Sequence, residues 1–151
     1  MTDEIRNLLE RVRVEEVVTR LFIDTDRRDW PSVKAAFAPA VHFDMSSAGG
    51  GRAGTVTPEK ITAGWETALR PIEHLHHQVG NFLTTIHGDE ATVFCYGIAF
   101  HHKRTYSGRN TRTFVGGYDL SLRRGGDGAW TIHTFRFTLK FIDGNLELEK
   151  V

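Results

Sequence analysis

One cysteine in 151 residues, Cys95, excludes an internal disulfide and fits a reducing compartment. Tyrosine (three) and methionine (two) are scarce beside ten phenylalanines, a lean toward apolar filling. Neither sign of charge is in excess: 19 basic side chains meet 19 acidic ones, with no basic stripe and no acidic tail. That balance argues against nucleic acid and anionic membrane as partners. No apolar run approaches the roughly 20 residues of a bilayer-spanning helix. Met1-Thr2-Asp3-Glu4-Ile5-Arg6 lacks the basic start and apolar stretch of a signal peptide. A cytoplasmic protein with one domain over residues 1–151 is expected, because this length buries a single good core. Also missing are a Gly-x-Ser-x-Gly elbow, a Walker-type loop and a dinucleotide fingerprint. Gly49-Gly50-Gly51 has no strand–helix context for holding phosphate, and no cofactor is expected.

What is present divides into a helical and an alternating half. Ile5, Leu8, Leu9, Val12, Val17, Val18, Leu21 and Phe22 recur at helical spacing and predict a first helix from Thr2 or Asp3 to about Arg27. Asp29 suits an N-cap, and Pro31 suits the first turn of a short helix through Phe37, ended by Pro39. Val41–Met45 reads as a short strand, and Ser46–Gly54 as a mobile loop without regular structure. Thr57-Pro58-Glu59-Lys60 opens a third helix to about Leu69, broken by Pro71. From Glu73 onward the period becomes two, with strands at 73–87, 90–105, 111–124 and 128–142. Gly88-Asp89, Ser107-Gly108-Arg109-Asn110 and Gly125-Gly126-Asp127-Gly128 punctuate them as hairpins. Helices followed by a meander predict an α+β fold, with the helices on one side of a curved antiparallel sheet.

The densest chemistry lies in His76-His77-Gln78-Val79-Gly80-Asn81. Alternation puts His77 and Asn81 on one side with Leu75, Val79 and Leu83, which reads as the buried side. A buried imidazole needs a partner. Asp26, one turn after Phe22 at the border of the apolar stripe, can supply it; Asp24 and Asp29 are rivals. Such a pair is a base and its orienter. The plainer readings are a hydrogen-bonded core histidine and an exposed carboxylate. His74, His76 and His77 invite a zinc site, yet neighbours fall on opposite faces, no cysteine helps and no His-Glu-x-x-His helix exists, so no metal is expected. Either His101 or His102 faces inward. His101 shares its side with Val93, Cys95, Gly97 and Ala99, small residues that leave room for a ligand, and is favoured. Tyr118 and Asp119 straddle the third strand of this half. Arg136, flanked by aromatics, could hold an anionic leaving group or oxyanion, or be a surface charge.

In order and spacing these pieces resemble the SnoaL-like branch of the nuclear transport factor 2-like superfamily, and within it the group around scytalone dehydratase. Asp26-Arg27-Arg28-Asp29-Trp30 looks like its helix-ending Asp-x-x-Asp-Trp, and Phe37-Ala38-Pro39-Ala40-Val41-His42-Phe43-Asp44 like the step into its first strand. His77-Gln78-Val79-Gly80-Asn81 is similar to its His-x-x-x-Asn, and Ala99-Phe100-His101 to its Ala-x-His strand end. Gly88-Asp89-Glu90-Ala91, Gly117-Tyr118 and Trp130-Thr131-Ile132 match a hairpin and the last two strands. The resemblance implies a cone-shaped barrel, with N-terminal helices packed in a strongly curved antiparallel sheet around an apolar cavity. It also implies Asp26 orienting His77 as general base, with His101 and Arg136 at the leaving group. Asn81, Met45, Tyr118 and Phe22 would touch substrate; Met45 stands where scytalone dehydratase has a tyrosine, and the Leu21-Phe22 region lacks a tyrosine common in relatives. The implied activity is a cofactor-independent lyase or isomerase (dehydratase, dehydrohalogenase or cyclase) acting on a small hydrophobic cyclic compound, in a homodimer or homotrimer. The rivals are a non-catalytic pocket protein and a small structural subunit of a ring-hydroxylating dioxygenase.

Overall fold

The computed structural model describes residues 1–150. Helix α1 (Asp3–Asp26) and the short α2 (Trp30–Ala35) lead into strand β1 (Phe37–Asp44), a 3-10 turn (Ser46–Ala48) and the short β2 (Gly54–Val56). Helix α3 (Pro58–Leu69) follows, then the long strands β3 (His74–His87), β4 (Glu90–His102), β5 (Thr111–Arg124) and β6 (Trp130–Gly144). Local chemistry sets the helix starts. Side chains of Thr2, Asp29 and Thr57 accept the N–H groups of Ile5, Ser32 and Lys60 at 3.3, 3.2 and 3.3 Å. Pro31 and Pro58 occupy first turns, where a missing N–H costs nothing. No helix among the described residues is long and apolar enough to cross a membrane.

The six strands form one sheet in the order β2-β1-β6-β5-β4-β3, curled around the helices. The expected α+β cone is there, with two differences. The sheet is mixed, because β1 runs parallel to β6 while every other pair is antiparallel. It also stays open, with β2 and β3 as edges, so the barrel does not close. Strand β1 starts at Phe37 and takes in Pro39. Its register against β6 jumps from Phe37–Ile132 to His42–Thr134, so the proline sits where no ladder bond is required. The segment after β1 is more ordered than expected. Ser47 Oγ donates to Phe137 O at 2.9 Å and accepts from Leu139 N–H at 2.9 Å, pinning the 3-10 turn to β6.

Two irregularities decide which side chains face inward. Between Gly80 and Leu83 the β3–β4 register shifts, and Asn81 has φ 56 there. The extra residue reverses the alternation, so Phe82 packs on the core and Leu83 is 71% exposed. A second shift, where Ser121–Thr134 gives way to Leu122–Ile132, lets both Ile132 and Phe135 be buried.

The core gathers α1 residues Val14, Val18, Leu21 and Phe22 against the concave sheet, around the almost fully buried ring of Phe135. Only this later part of the helical stripe is covered. Ile5, Leu8, Leu9 and Val12 stay 42% to 55% exposed. In the first half of α1, Glu10 is buried, accepting from Trp130 Nε1–H at 2.7 Å and from Arg13 at 2.7 Å, with Arg124 at 3.3 Å. Glu10→Ala strips these donors of their acceptor and is expected to cost about 1–3 kcal/mol, read as a lower urea midpoint at unchanged slope.

Candidate active site

Asp26 is the last residue of α1, and its carboxylate meets β3 near its start. Oδ1 lies 2.6 Å from Nδ1 of His77, and Oδ2 accepts the backbone N–H of the same residue at 2.9 Å. A single carboxylate thus fixes both the position of the strand and the plane of the ring. Their side chains are 18% and 13% exposed, largely screened from bulk water, and His77 opens on a cavity. An ionised carboxylate only accepts, so Nδ1 of His77 carries the proton and Nε2 is left with a free lone pair. Phe22, one turn before Asp26, stacks on the imidazole at 5.6 Å and 27°.

The cavity holds about 630 Å³ and is walled by Phe22, Phe43, Trp65, Phe135 and Phe137. That volume suits a small ring compound. His101 is 7% exposed and stands with its ring centroid 6.3 Å from that of His77. Its Nδ1 lies 3.1 Å from Nη2 of Arg112, its direct partner across the β4–β5 ladder. The same Nη2 lies 2.5 Å from Oε1 of Glu149. Burial, then the Arg112 charge, hold the His101 imidazole down to about 4. Burial alone would raise the Glu149 carboxyl, but the Arg112 hydrogen bond and charge outweigh it and the net shift is downward. Burial pushes the Tyr118 hydroxyl well above its ordinary range, so it stays a neutral phenol in the wall.

The Tyr118 ring exists at this place because Gly97 faces it. A Cβ on Gly97 would lie 2.2 Å from Cε2 of Tyr118, while Phe22, Phe135 and Phe137 hold the ring from other sides. Gly97→Ala is expected to destabilise by about 1–3 kcal/mol through overpacking and to weaken ligand binding. Thermal unfolding with and without ligand reads both effects.

The SnoaL-like domain model matches residues 6–136. The chain belongs to this family, a branch of the nuclear transport factor 2-like superfamily. A search of curated proteins finds no match. Among solved structures, the Kfla4162 protein of Kribbella flavida superposes with a TM-score of 0.87 at 21% identity, covering 99% of this chain and 100% of that one. A protein of Novosphingobium aromaticivorans, provisionally named a scytalone dehydratase, gives 0.78 at 16% identity over 92% and 89%. The hexachlorocyclohexane dehydrochlorinase LinA-type3 of Novosphingobium barchaimii gives 0.76 at 12% over 99% of each chain. These likenesses establish the cone fold.

In this SnoaL-like domain the expected residues separate into two groups. Asp26 adjoins the cavity through His77, and His77, His101, Phe22, Met45 and Tyr118 line it. Arg136 and Asn81 do not. Arg136 stands between the inward-facing Phe135 and Phe137, so its side chain emerges on the outer face, paired with Asp119 at 3.0 Å and 54% exposed. Asn81 is exposed because the bulge it occupies turns it outward. Arg112 and Glu149, like Arg52 and Lys60 elsewhere in the lining, are charged cavity groups that local patterns missed. Placing His101 opposite Arg112 requires the hairpin register, and Glu149 arrives from beyond the last strand. As for metals, one group of three among the described residues, Glu73, His74 and His102, brings possible ligand atoms within 4.8 Å of one another. None of the three lines the cavity.

Proposed function

We propose that this SnoaL-like domain is a cofactor-independent lyase or isomerase that acts on a small hydrophobic, cyclic compound. The observation that carries the reading is the two-point grip of Asp26 on His77, with the remaining ring nitrogen free beside an aromatic-walled cavity. His77 takes a proton from an acidic C–H of the substrate, and Asp26 stabilises the imidazolium that forms. A dry, low-dielectric surround strengthens that pairing. The C–H electron pair then enters a new double bond. If a neighbouring C–O or C–halogen bond breaks, the outcome is elimination; if the proton returns at another carbon, it is isomerisation. The names of the fold neighbours, a dehydratase and a dehydrochlorinase, both denote eliminations, which fits the same parts.

Both reactions begin with loss of a carbon-bound proton, so hydrogen–deuterium exchange tests them together. Cyclic ketones, hydroxylated bicyclic aromatics and halogenated cyclohexanes are incubated with protein in D₂O and read by mass spectrometry. Catalysed exchange or elimination that disappears in His77→Ala supports the reading. Ligands that stabilise wild type and His77→Ala equally, with turnover in neither, would instead make this a binding protein.

The surface left over supports self-association. Tyr96, Ile98 and Phe100 on β4, with Leu83 and Phe141, are 38% to 71% exposed. A homodimer or homotrimer is the expected mass in light scattering. A strict monomer at high micromolar concentration contradicts it.

A further inference from the structure

The two cavity histidines are wired in opposite senses. His77 donates through Nδ1 to a carboxylate and keeps Nε2 as an acceptor. A guanidinium has only N–H groups to offer, so at His101 the roles reverse. Nδ1 of His101 accepts from Nη2 of Arg112 at 3.1 Å, which leaves the ring's proton on Nε2. Among the described residues no hydrogen bond reaches that Nε2, and it is not among the sealed, unpaired polar atoms, so it opens on the cavity.

Arg112 is well placed to impose this. It faces His101 directly across the ladder, and its guanidinium carbon lies 5.2 Å over the ring of Phe114, which also packs on His101 at 5.2 Å. Glu149 holds the same Nη2 at 2.5 Å, while Nε of Arg112 is buried without a partner among the described residues. The anchor of the guanidinium is therefore the carboxylate carried by the C-terminal turn. That turn is itself fixed by the fully buried Leu148 and by Lys103 Nζ, which donates to Glu149 O at 3.3 Å.

We infer that Arg112, anchored by Glu149, is a positioning residue that sets His101 as a neutral hydrogen-bond donor opposite the His77 acceptor, matched to a substrate whose acidic C–H lies beside an oxygen or halogen. The catalytic half of this statement rests on the proposed function; the proton positions belong to the resting protein. The reaction balances without an external acid. Nε2 of His77 takes the proton from carbon, and the C–H pair becomes the new double bond. Charge gathering on the adjacent oxygen or departing halide is met by the Nε2–H of His101, which keeps its proton. A departing oxygen is protonated by the His77 imidazolium, whereas a halide leaves as the anion and His77 returns its proton to solvent.

A protonated His101 would aim an N–H at the Arg112 guanidinium, so acid chemistry at this ring is disfavoured by geometry. Its depressed basicity agrees. The charged or titratable groups around it are Arg112 from β5, Glu149 from the C-terminal turn, His77 from β3 and Asp26 from α1.

Two-bond proton–nitrogen NMR on imidazole-labelled protein tests this without any substrate. The expected spectrum at neutral pH shows His101 protonated on Nε2, His77 protonated on Nδ1, and His101 still neutral near pH 5. Arg112→Met is expected to release the tautomer and raise the His101 titration by at least one unit. Glu149→Gln, milder for folding, gives an intermediate shift. His101 protonated on Nδ1 in wild type, or titrations unchanged in both variants, overturns the inference. With a turned-over substrate, Arg112→Met should lower kcat at least tenfold with little change in KM; an unchanged kcat also overturns it. Expected tautomers beside intact turnover in His77→Ala would refute the proposed function and leave the Arg112–His101 arrangement standing.

Discussion

Asp26→Asn is expected to lower turnover by about a thousandfold to ten-thousandfold with the fold intact, the upper figure being the effect of making an orienting carboxylate behind a histidine base an amide. The reason is an acceptor count. Asp26 receives two donors from His77, the ring Nδ1–H and the backbone N–H, one on each oxygen. Asparagine has a single acceptor oxygen and must turn its NH₂ toward one of them. If the amide faces the ring, Nδ1 becomes the acceptor, the proton moves to Nε2, and the lone pair proposed to remove the substrate proton is gone. If it faces the backbone, a partly buried N–H is left unmet at about 1–3 kcal/mol. Steady-state kinetics beside urea denaturation separates the outcomes. A variant that is stable and retains more than a fifth of wild-type kcat would remove Asp26 from the mechanism.

Acid is expected to unfold the protein partly through His101. Its folded value of about 4 lies below the unfolded value of 6.5, so the unfolded chain binds the proton first as pH falls. The stabilisation this group contributes is complete above 6.5 and is lost between 6.5 and about 4. At pH 4.5 the linkage is on the order of 2–3 kcal/mol relative to neutral pH. Carboxylates such as Glu149 add their own loss in the same direction, so the comparison must be internal. The stability gap between wild type and His101→Phe should shift by roughly 2–3 kcal/mol in favour of the variant on going from pH 7 to 4.5. Parallel pH profiles for the two proteins would mean that His101 titrates alike in both states, against the buried arrangement beside Arg112.

The helices and hairpins were legible because their signals are local. Thr2, Asp29 and Thr57 cap where capping side chains are expected, and the strands keep their alternation between turn signals. Asp26 and His77 were legible together only through the family's ordered motifs, since 51 positions separate them. Where the reading failed, one inserted residue or one remote pairing was responsible. Asn81 and Leu83 were assigned inward by a parity that the Gly80–Leu83 bulge reverses. Arg136 was carried over as a site residue by resemblance, whereas the inward turn of Phe135 and Phe137 sends it to the outer face. Arg112 escaped because its role depends on a neighbour in the next strand, and Glu149 because nothing around it has a period. The mixed sheet was hidden for the same reason: β1 is a short strand whose partner is the last one made.

That late partnership has a price during synthesis on the ribosome. Ser47 precedes its anchor Phe137 by 90 positions, so the emerging chain exposes β1 and the turn after it long before their pairing strand exists. The apolar side of β1, with the fully buried Val41, must wait in solution, open to chaperones and to premature clumping, until the final hairpin leaves the exit tunnel. Nascent chains stalled ahead of Trp130 should therefore be protease-sensitive throughout, and resistance should appear in a single step once β6 has cleared.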